Sequence, residues 1–233
     1  MGMRHFPDIR VFPLVCVNAA LYVLIVIFDV MRAASNITPA MGLLCDVLKY
    51  AAIISCLLIC IFSYTRTRER TPLIQTIVFC ITLVADYFLL FTPYFVAGVI
   101  AFIGAHSCAL IRYKPRWIVP VGACAAAVFL LVTLMAPGIL HLNTELTLFI
   151  AVTATYAVLI INVTVSTFHS PQPRLNTLFS RVGMLLFLAC DVNVMIFNAV
   201  PAGYPAHTAS IVLMWLFYLP AQTLLALSAS KWP

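Results

Sequence analysis

Along this chain the apolar residues run almost unbroken for about twenty positions at a time, and short polar segments punctuate them. A helix needs about 20 predominantly apolar residues to cross the hydrocarbon core of a bilayer. Eight stretches meet that requirement, at roughly 11–31, 42–63, 73–91, 94–112, 117–136, 144–166, 178–200 and 206–229. The interruptions include RAASNITPA, YTRTRERTP, KPR, APGILHLN, FHSPQPRLN and VPAGYPAH. Each holds the Pro, Gly, Asn or Ser that ends a helix or turns the chain. None is long enough to be an interdomain linker. The pattern predicts an all-α membrane protein: one domain over residues 1–233, built as a bundle of eight transmembrane helices.

Composition narrows the class. Hydrophobic residues make up 64% of the 233 and charged residues 9%, against roughly 45–50% and about 25% in soluble domains. A soluble enzyme, a disordered chain and a nucleic-acid binder are excluded, so no nucleic-acid partner is expected. The net charge of +6 is explained by orientation. With both termini cytoplasmic, the inner segments carry Arg4, Arg10, Arg66, Arg68, Arg70, Arg112, Lys114, Arg116, Arg174, Arg181 and Lys231, eleven of the thirteen basic residues. Arg32 alone falls outside, and Lys49 lies within a span. That alternation is the positive-inside pattern of an even number of crossings. It places the termini in the cytoplasm, and the protein in the inner membrane if the source is bacterial. Tyr64, Tyr113 and Trp117 at the inner ends, with Tyr94 and Tyr204 at the outer ends, fit an aromatic belt. The first apolar run is too long for the core of a cleaved signal peptide and reads as a retained span.

The eight cysteines, Cys16, Cys45, Cys56, Cys60, Cys80, Cys108, Cys124 and Cys190, all sit in apolar runs without a C-x-x-C. They read as small, reduced, buried hydrophobes rather than a disulfide framework or a metal site.

Ionisable groups are costly in a bilayer, so each one inside a span is a candidate for function. Of seven carboxylates, Asp8 and Glu69 are cytoplasmic, and Glu145 serves the first turn of the sixth span. Asp29, Asp46, Asp86 and Asp191 are left, with Lys49. At 1.5 Å per residue, Asp86 lies about 7 Å below the outer end of its span, Lys49 and Asn193 about 10 Å, and Asp191 about 13 Å. The costly residues of spans 2, 3 and 7 are therefore expected in one layer of the outer half of the membrane. Asp46 and Lys49, at i and i+3, can pair with each other, and Lys49 can instead pair with Asp86 or Asp191. Asp29 and Asp46 are expected to be structural, Asp86 and Asp191 functional. One lysine cannot neutralise two carboxylates, and a surplus carboxyl in a low dielectric keeps its proton, as a general acid must. His106 is deeper, with Gly98 and Phe102 on the same helical face. It is either satisfied within the bundle or part of the site. No histidine pair has metal-ligand spacing, and neither a G-x-S-x-G nor a Gly-rich phosphate loop occurs.

The segments VADYFLL (84–90), FVAGVIAFIGAH (95–106), RVGMLLFLACD (181–191) and FYLPAQTLLALS (217–228) resemble the YhhN family, which includes lysoplasmalogenases. The likeness covers most of the chain and implies the same eight spans. The matching positions are Lys49, Asp86, Gly98, Phe102, His106, Gly183, Phe187, Asp191, Tyr218 and Gln222. Ala85 stands where the family often has Gly, and Cys190 where it often has Ser.

The resemblance implies hydrolysis of the vinyl-ether bond of a lysoplasmalogen, a lysophospholipid drawn from the membrane lipid, to a fatty aldehyde and a glycerophospho-base. Protonation of the vinyl carbon gives an oxocarbenium ion that water captures. Two carboxylates divide such work in glycoside hydrolysis, and here the two are expected to be Asp86 and Asp191. Lys49, His106, Asn193, Tyr218 and Gln222 are expected to bind or orient the substrate, and the reaction needs neither a metal nor an organic cofactor. The rival class is a small-molecule or proton-coupled transporter using the same carboxylates. A discontinuous helix at the site would favour it. Spans 3 and 7 lack proline, which favours a fixed enzyme site. A weak likeness of ADYFLLF in span 3 to CDVNVMIF in span 7 would correspond to four spans in each half.

Overall fold

The computed structural model describes residues 11–113, 118–140, 143–170 and 173–230. Arg4, His5, Asp8, Arg10, Lys114, Arg116, Trp117, His141 and Lys231 lie outside the described residues. Every regular element among those described is a helix: α1 (Val11–Ala33), α2 (Pro39–Thr67), α3 (Arg70–Phe91), α4 (Phe95–Tyr113), α5 (Ile118–Leu140), α6 (Thr144–Phe168), α7 (Arg174–Ala199) and α8 (Pro205–Leu227). Seven of them are long and apolar enough to cross a membrane; in α5 the described apolar stretch is the shorter Cys124–Met135. The protein is thus a multi-pass α-helical membrane protein by the length and composition of its helices.

Helix ends follow the capping residues. The Thr38 side chain accepts from the Met41 amide at 3.3 Å, with Pro39 opening α2. Asn143 accepts from the Leu146 amide at 2.8 Å, and Glu145 sits in the first turn of α6. Arg68 closes α2 in the left-handed conformation, its amide bonded to the Tyr64 carbonyl. Both α2 and α7 run several residues past the apolar stretches read from sequence. Their backbone bonding continues into polar ends such as Tyr64–Thr67 and Arg174–Asn176, where hydropathy has already fallen.

The chain divides into two compact units. One comprises Met1–Thr76 and Pro171–Pro233, the other Ile77–Ser170. The first holds α1, α2, the start of α3, α7 and α8; the second holds the rest of α3 with α4, α5 and α6. The partition does not follow a repeat of four consecutive spans, because α7 and α8 belong with α1 and α2.

In the first unit α1 packs on α2 and α8, α2 on α8, and α7 on α8. Gly183 lets α7 approach α8 closely: a Cβ there would stand 3.0 Å from Leu225 Cγ and 3.2 Å from the Ala221 carbonyl oxygen. In the second unit α6 packs on α4 and α5. Gly98 plays the same part on α4, where a Cβ would meet Leu89 at 2.6 Å and the Ala85 carbonyl at 3.2 Å.

Several hydroxyl side chains within the helices are satisfied locally. Thr147, Thr155 and Thr164 of α6 each donate to the carbonyl four residues back. That is how hydroxyls are carried where no water is available. No disulfide joins the eight cysteines. Cys45, Cys56, Cys60 and Cys190 are buried, but Cys16, Cys80 and Cys124 are exposed on outward helix faces, so burial holds for half of the expected set. Tyr94 and Tyr204 are exposed as an aromatic belt requires. Tyr113 is buried instead, 5.2 Å from the guanidinium of Arg112, which is also buried.

Overpacking a close helix crossing costs about 1–3 kcal/mol. Gly183→Val is therefore expected to lower the melting temperature in detergent by on the order of 5 °C. Gly122→Ala, where nothing lies within 4 Å, is the control and leaves it unchanged.

Candidate active site

In the first unit the charged residues near the α1–α2 turn form two crossed ion pairs. Lys49 Nζ lies 2.7 Å from Asp29 Oδ1, and both side chains are buried. Arg32 Nη2 lies 3.0 Å from Asp46 Oδ1 and donates to the Gly42 carbonyl at 3.0 Å. Lys49 is 3.9 Å from Asp46, so the expected i, i+3 pair is the longer one. The principal partner of Lys49 is Asp29, at 2.7 Å, rather than Asp46. Asp29 itself is fully buried, at 0% exposure.

The reason is the register of an antiparallel hairpin. Asp29 precedes Arg32 by three residues and Asp46 precedes Lys49 by three. One helical turn therefore separates the members of each couple, and folding α2 back along α1 sets opposite charges face to face. A buried charge in lipid is tolerated when it is paired. The Asp29 carboxylate also accepts from Cys45 Sγ at 3.7 Å.

Lys49 continues the cluster into α8. Its ammonium lies 5.0 Å from the Trp215 ring, within cation–π range. Trp215 meets Tyr218 edge-on at 5.0 Å, and Tyr218 meets Phe187 of α7 edge-on at 5.4 Å. Gly183, Phe187 and Asp191 follow one another at steps of four along α7. The first two are buried against α8, and Asp191 is half-buried. Tyr218 and Gln222 are buried one turn apart on α8. Gln222 Nε2 has no hydrogen-bond partner among the described residues. Asn193 turns back on its own helix and donates to the Ala189 carbonyl at 2.8 Å. Standing two residues from Asp191, it faces another direction around α7.

In the second unit Asp86 is buried on α3, with 3% of its surface exposed. It follows Ala85, the residue whose carbonyl lies against Gly98. Phe102 and His106 are buried along the same face of α4. The His106 Nδ1 hydrogen-bonds the Phe102 carbonyl at 2.9 Å. A carbonyl can only accept, so Nδ1 carries a proton in this arrangement. The imidazole meets Tyr156 of α6 edge-on at 5.3 Å, and Phe102 lies 6.2 Å from the same ring.

A family model of the YhhN family matches residues 45–229. The chain belongs to the YhhN family. Neither a curated protein nor a solved structure matches it. YhhN membership suggests lysoplasmalogenase-like hydrolase activity at the level of the family. The matched range includes Lys49, Asp86, His106, Asp191, Tyr218 and Gln222, but leaves out α1 and with it Asp29.

Sequence reasoning missed Asp29 as the partner of Lys49, and missed Trp215 and Tyr156 as the aromatic walls. The charge pairs had a readable signal in the matched spacing on either side of the α1–α2 turn. The aromatic walls had none, because Trp215 and Tyr156 sit in apolar runs that look alike on every face.

Removing one partner of a buried ion pair costs about 3–5 kcal/mol, and replacing both by apolar groups is far cheaper. Asp29→Leu is expected to destabilise the protein strongly in chemical unfolding, and Asp29→Leu with Lys49→Met to recover most of that loss. Equal instability of the single and the double variant would contradict the pairing.

Proposed function

We propose that this protein is a lysoplasmalogenase-like ether hydrolase that cleaves the vinyl-ether bond of a lysoplasmalogen. The products are a fatty aldehyde and a glycerophospho-base, glycerophosphoethanolamine or glycerophosphocholine. The observation that carries the reading is Asp86: a carboxyl almost wholly buried in a helix apolar enough to span a membrane, within the segment that matches the YhhN family. Such a group is expensive, and its chemistry accounts for its presence.

The reaction balances without a redox partner. A carboxylic acid protonates the vinyl carbon remote from the oxygen, and the carbon bonded to oxygen becomes the centre of an oxocarbenium ion. A carboxylate stabilises that cation and takes a proton from the attacking water. The hemiacetal then collapses to aldehyde and alcohol, and one water has been consumed. We assign the two carboxyl roles to Asp86 and Asp191. His106, Tyr218 and Gln222 orient the water or the glycerol oxygen. Asn193 has its amide nitrogen committed to its own helix, so it is the weakest of the assigned orienting residues. Lys49, held by Asp29, is better suited to setting the local field than to gripping a phosphate.

Eight crossings with both termini in the cytoplasm complete the proposal. The substrate is a single-chain lysophospholipid whose tail lies among apolar side chains while its headgroup reaches the interface. A carrier would be favoured by a broken helix at a carboxylate, whereas α3 and α7 run uninterrupted from Arg70 to Phe91 and from Arg174 to Ala199.

Purified protein is expected to release aldehyde from a lysoplasmalogen and none from the saturated alkyl-ether analogue. Asp86→Asn and Asp191→Asn should each lower turnover by at least about 100-fold, the scale of a lost acid–base group, with melting temperature retained. Full activity in either variant would remove that residue from the mechanism.

A further inference from the structure

Proline has no amide hydrogen, so inside a helix it leaves the carbonyl four residues back without its helical donor. In α8 that residue is Pro220, and the helix runs through it from Pro205 to Leu227. The orphaned carbonyl is that of Leu216. In lipid such a group must find a donor from the protein. The Tyr22 hydroxyl of α1 donates to the Leu216 carbonyl oxygen at 3.1 Å. We infer that Tyr22 is a positioning residue: its hydroxyl replaces the missing amide of Pro220 and holds the two turns of α8 that carry Trp215, Tyr218 and Gln222.

Three observations bear on this. A tyrosine hydroxyl in an apolar setting needs a partner, and most mid-helix carbonyls are occupied by the amide four residues ahead. Leu216 is the one carbonyl of this stretch from which Pro220 withdraws that amide. The two turns around it carry Trp215 against Lys49, Tyr218 against Phe187, and Gln222, which is buried beyond the proline. Finally, Tyr22 lies outside the segment that matches the family. α1 therefore contributes through contacts that a comparison limited to residues 45–229 does not register. One helical step toward the other end of α8, Asn18 repeats the arrangement: its amide reaches Cys56 Sγ at 3.1 Å and Thr223 Oγ1 at 3.4 Å, and its carbonyl accepts from Ser55. Asn18 and Tyr22, at i and i+4 on α1, are thus the polar face that grips α8 on either side of Pro220.

The test is a double-mutant cycle on the full chain. Tyr22→Phe deletes only the hydroxyl. Pro220→Ala restores an amide that can bond the Leu216 carbonyl, and Pro220→Ser does the same should the alanine variant not fold. Tyr22→Phe is expected to lower the melting temperature by on the order of 2 °C with Pro220 present, the scale of one hydrogen bond in a membrane protein. In the Pro220→Ala background it should lower it by none. An equal shift in both backgrounds, or no shift in either, overturns the inference. The positioning role is read separately from Trp215 emission, in a chain whose Trp117 and Trp232 are phenylalanine. Tyr22→Phe should move that emission with Pro220 and leave it in place with alanine; unmoved emission in both overturns the positioning role. The catalytic consequence rests on the hydrolase reading above: kcat for aldehyde release falls on the order of threefold, KM holds, and Pro220→Ala cancels the difference. If the unaltered chain releases no aldehyde, the hydrolase reading fails, while the melting and emission cycles still decide the role of Tyr22.

Discussion

Hydrocarbon offers no hydrogen bonds, and that constraint orders the rest of the structure. Every backbone amide in the described spans is placed in a helix, the hydroxyls of α6 fold back on their own carbonyls, and the charges of α1 and α2 are spent on one another. What the helices cannot settle alone they settle in pairs. Asn18 serves α2 and α8 together, and Tyr22 answers the carbonyl released by Pro220.

The motif residues are built on close helix crossings. Gly183 on α7 and Gly98 on α4 each lie against a neighbouring backbone carbonyl, that of Ala221 in one unit and of Ala85 in the other. The next residue on each neighbouring helix is a motif polar group, Gln222 and Asp86 respectively. In each unit a buried phenylalanine follows the glycine by four positions and meets a tyrosine: Phe187 with Tyr218, Phe102 with Tyr156. The glycine sets the distance between helices, and the ring fixes the rotation at which the next motif residue, Asp191 or His106, is presented. A short sequence pattern is enough to specify this, because one residue per turn is all that faces the partner.

Much of this was legible beforehand, for identifiable reasons. Helix number and approximate limits follow from apolar run length, a property of the chain alone. The family motif was readable because its residues are chemically unlike their surroundings. The partner of Lys49 was not read, although Asp29 is one of the carboxylates within the spans, since the choice among four carboxylates depends on which helix lies beside α2. Long-range packing made that choice, and α1 won because the turn is short and the register of the two charge couples coincides. The division into units was also out of reach: grouping α7 and α8 with α1 and α2 requires knowing which lipid-like faces meet, and faces rich in Leu, Val and Ile are interchangeable by composition.

The crossed ion pairs have a consequence for how the protein enters the membrane. A lone α1 would carry Asp29 and Arg32 into the bilayer, and a lone α2 would carry Asp46 and Lys49, each charge costing about 2.5–3.5 kcal/mol at mid-depth and less near the edge. Presented together as a hairpin, the two helices hold two positive and two negative groups, each within 3.0 Å of an opposite charge. The inserting unit during synthesis is then the helical hairpin rather than the single helix. The ribosome must deliver residue 49 before residue 29 can settle.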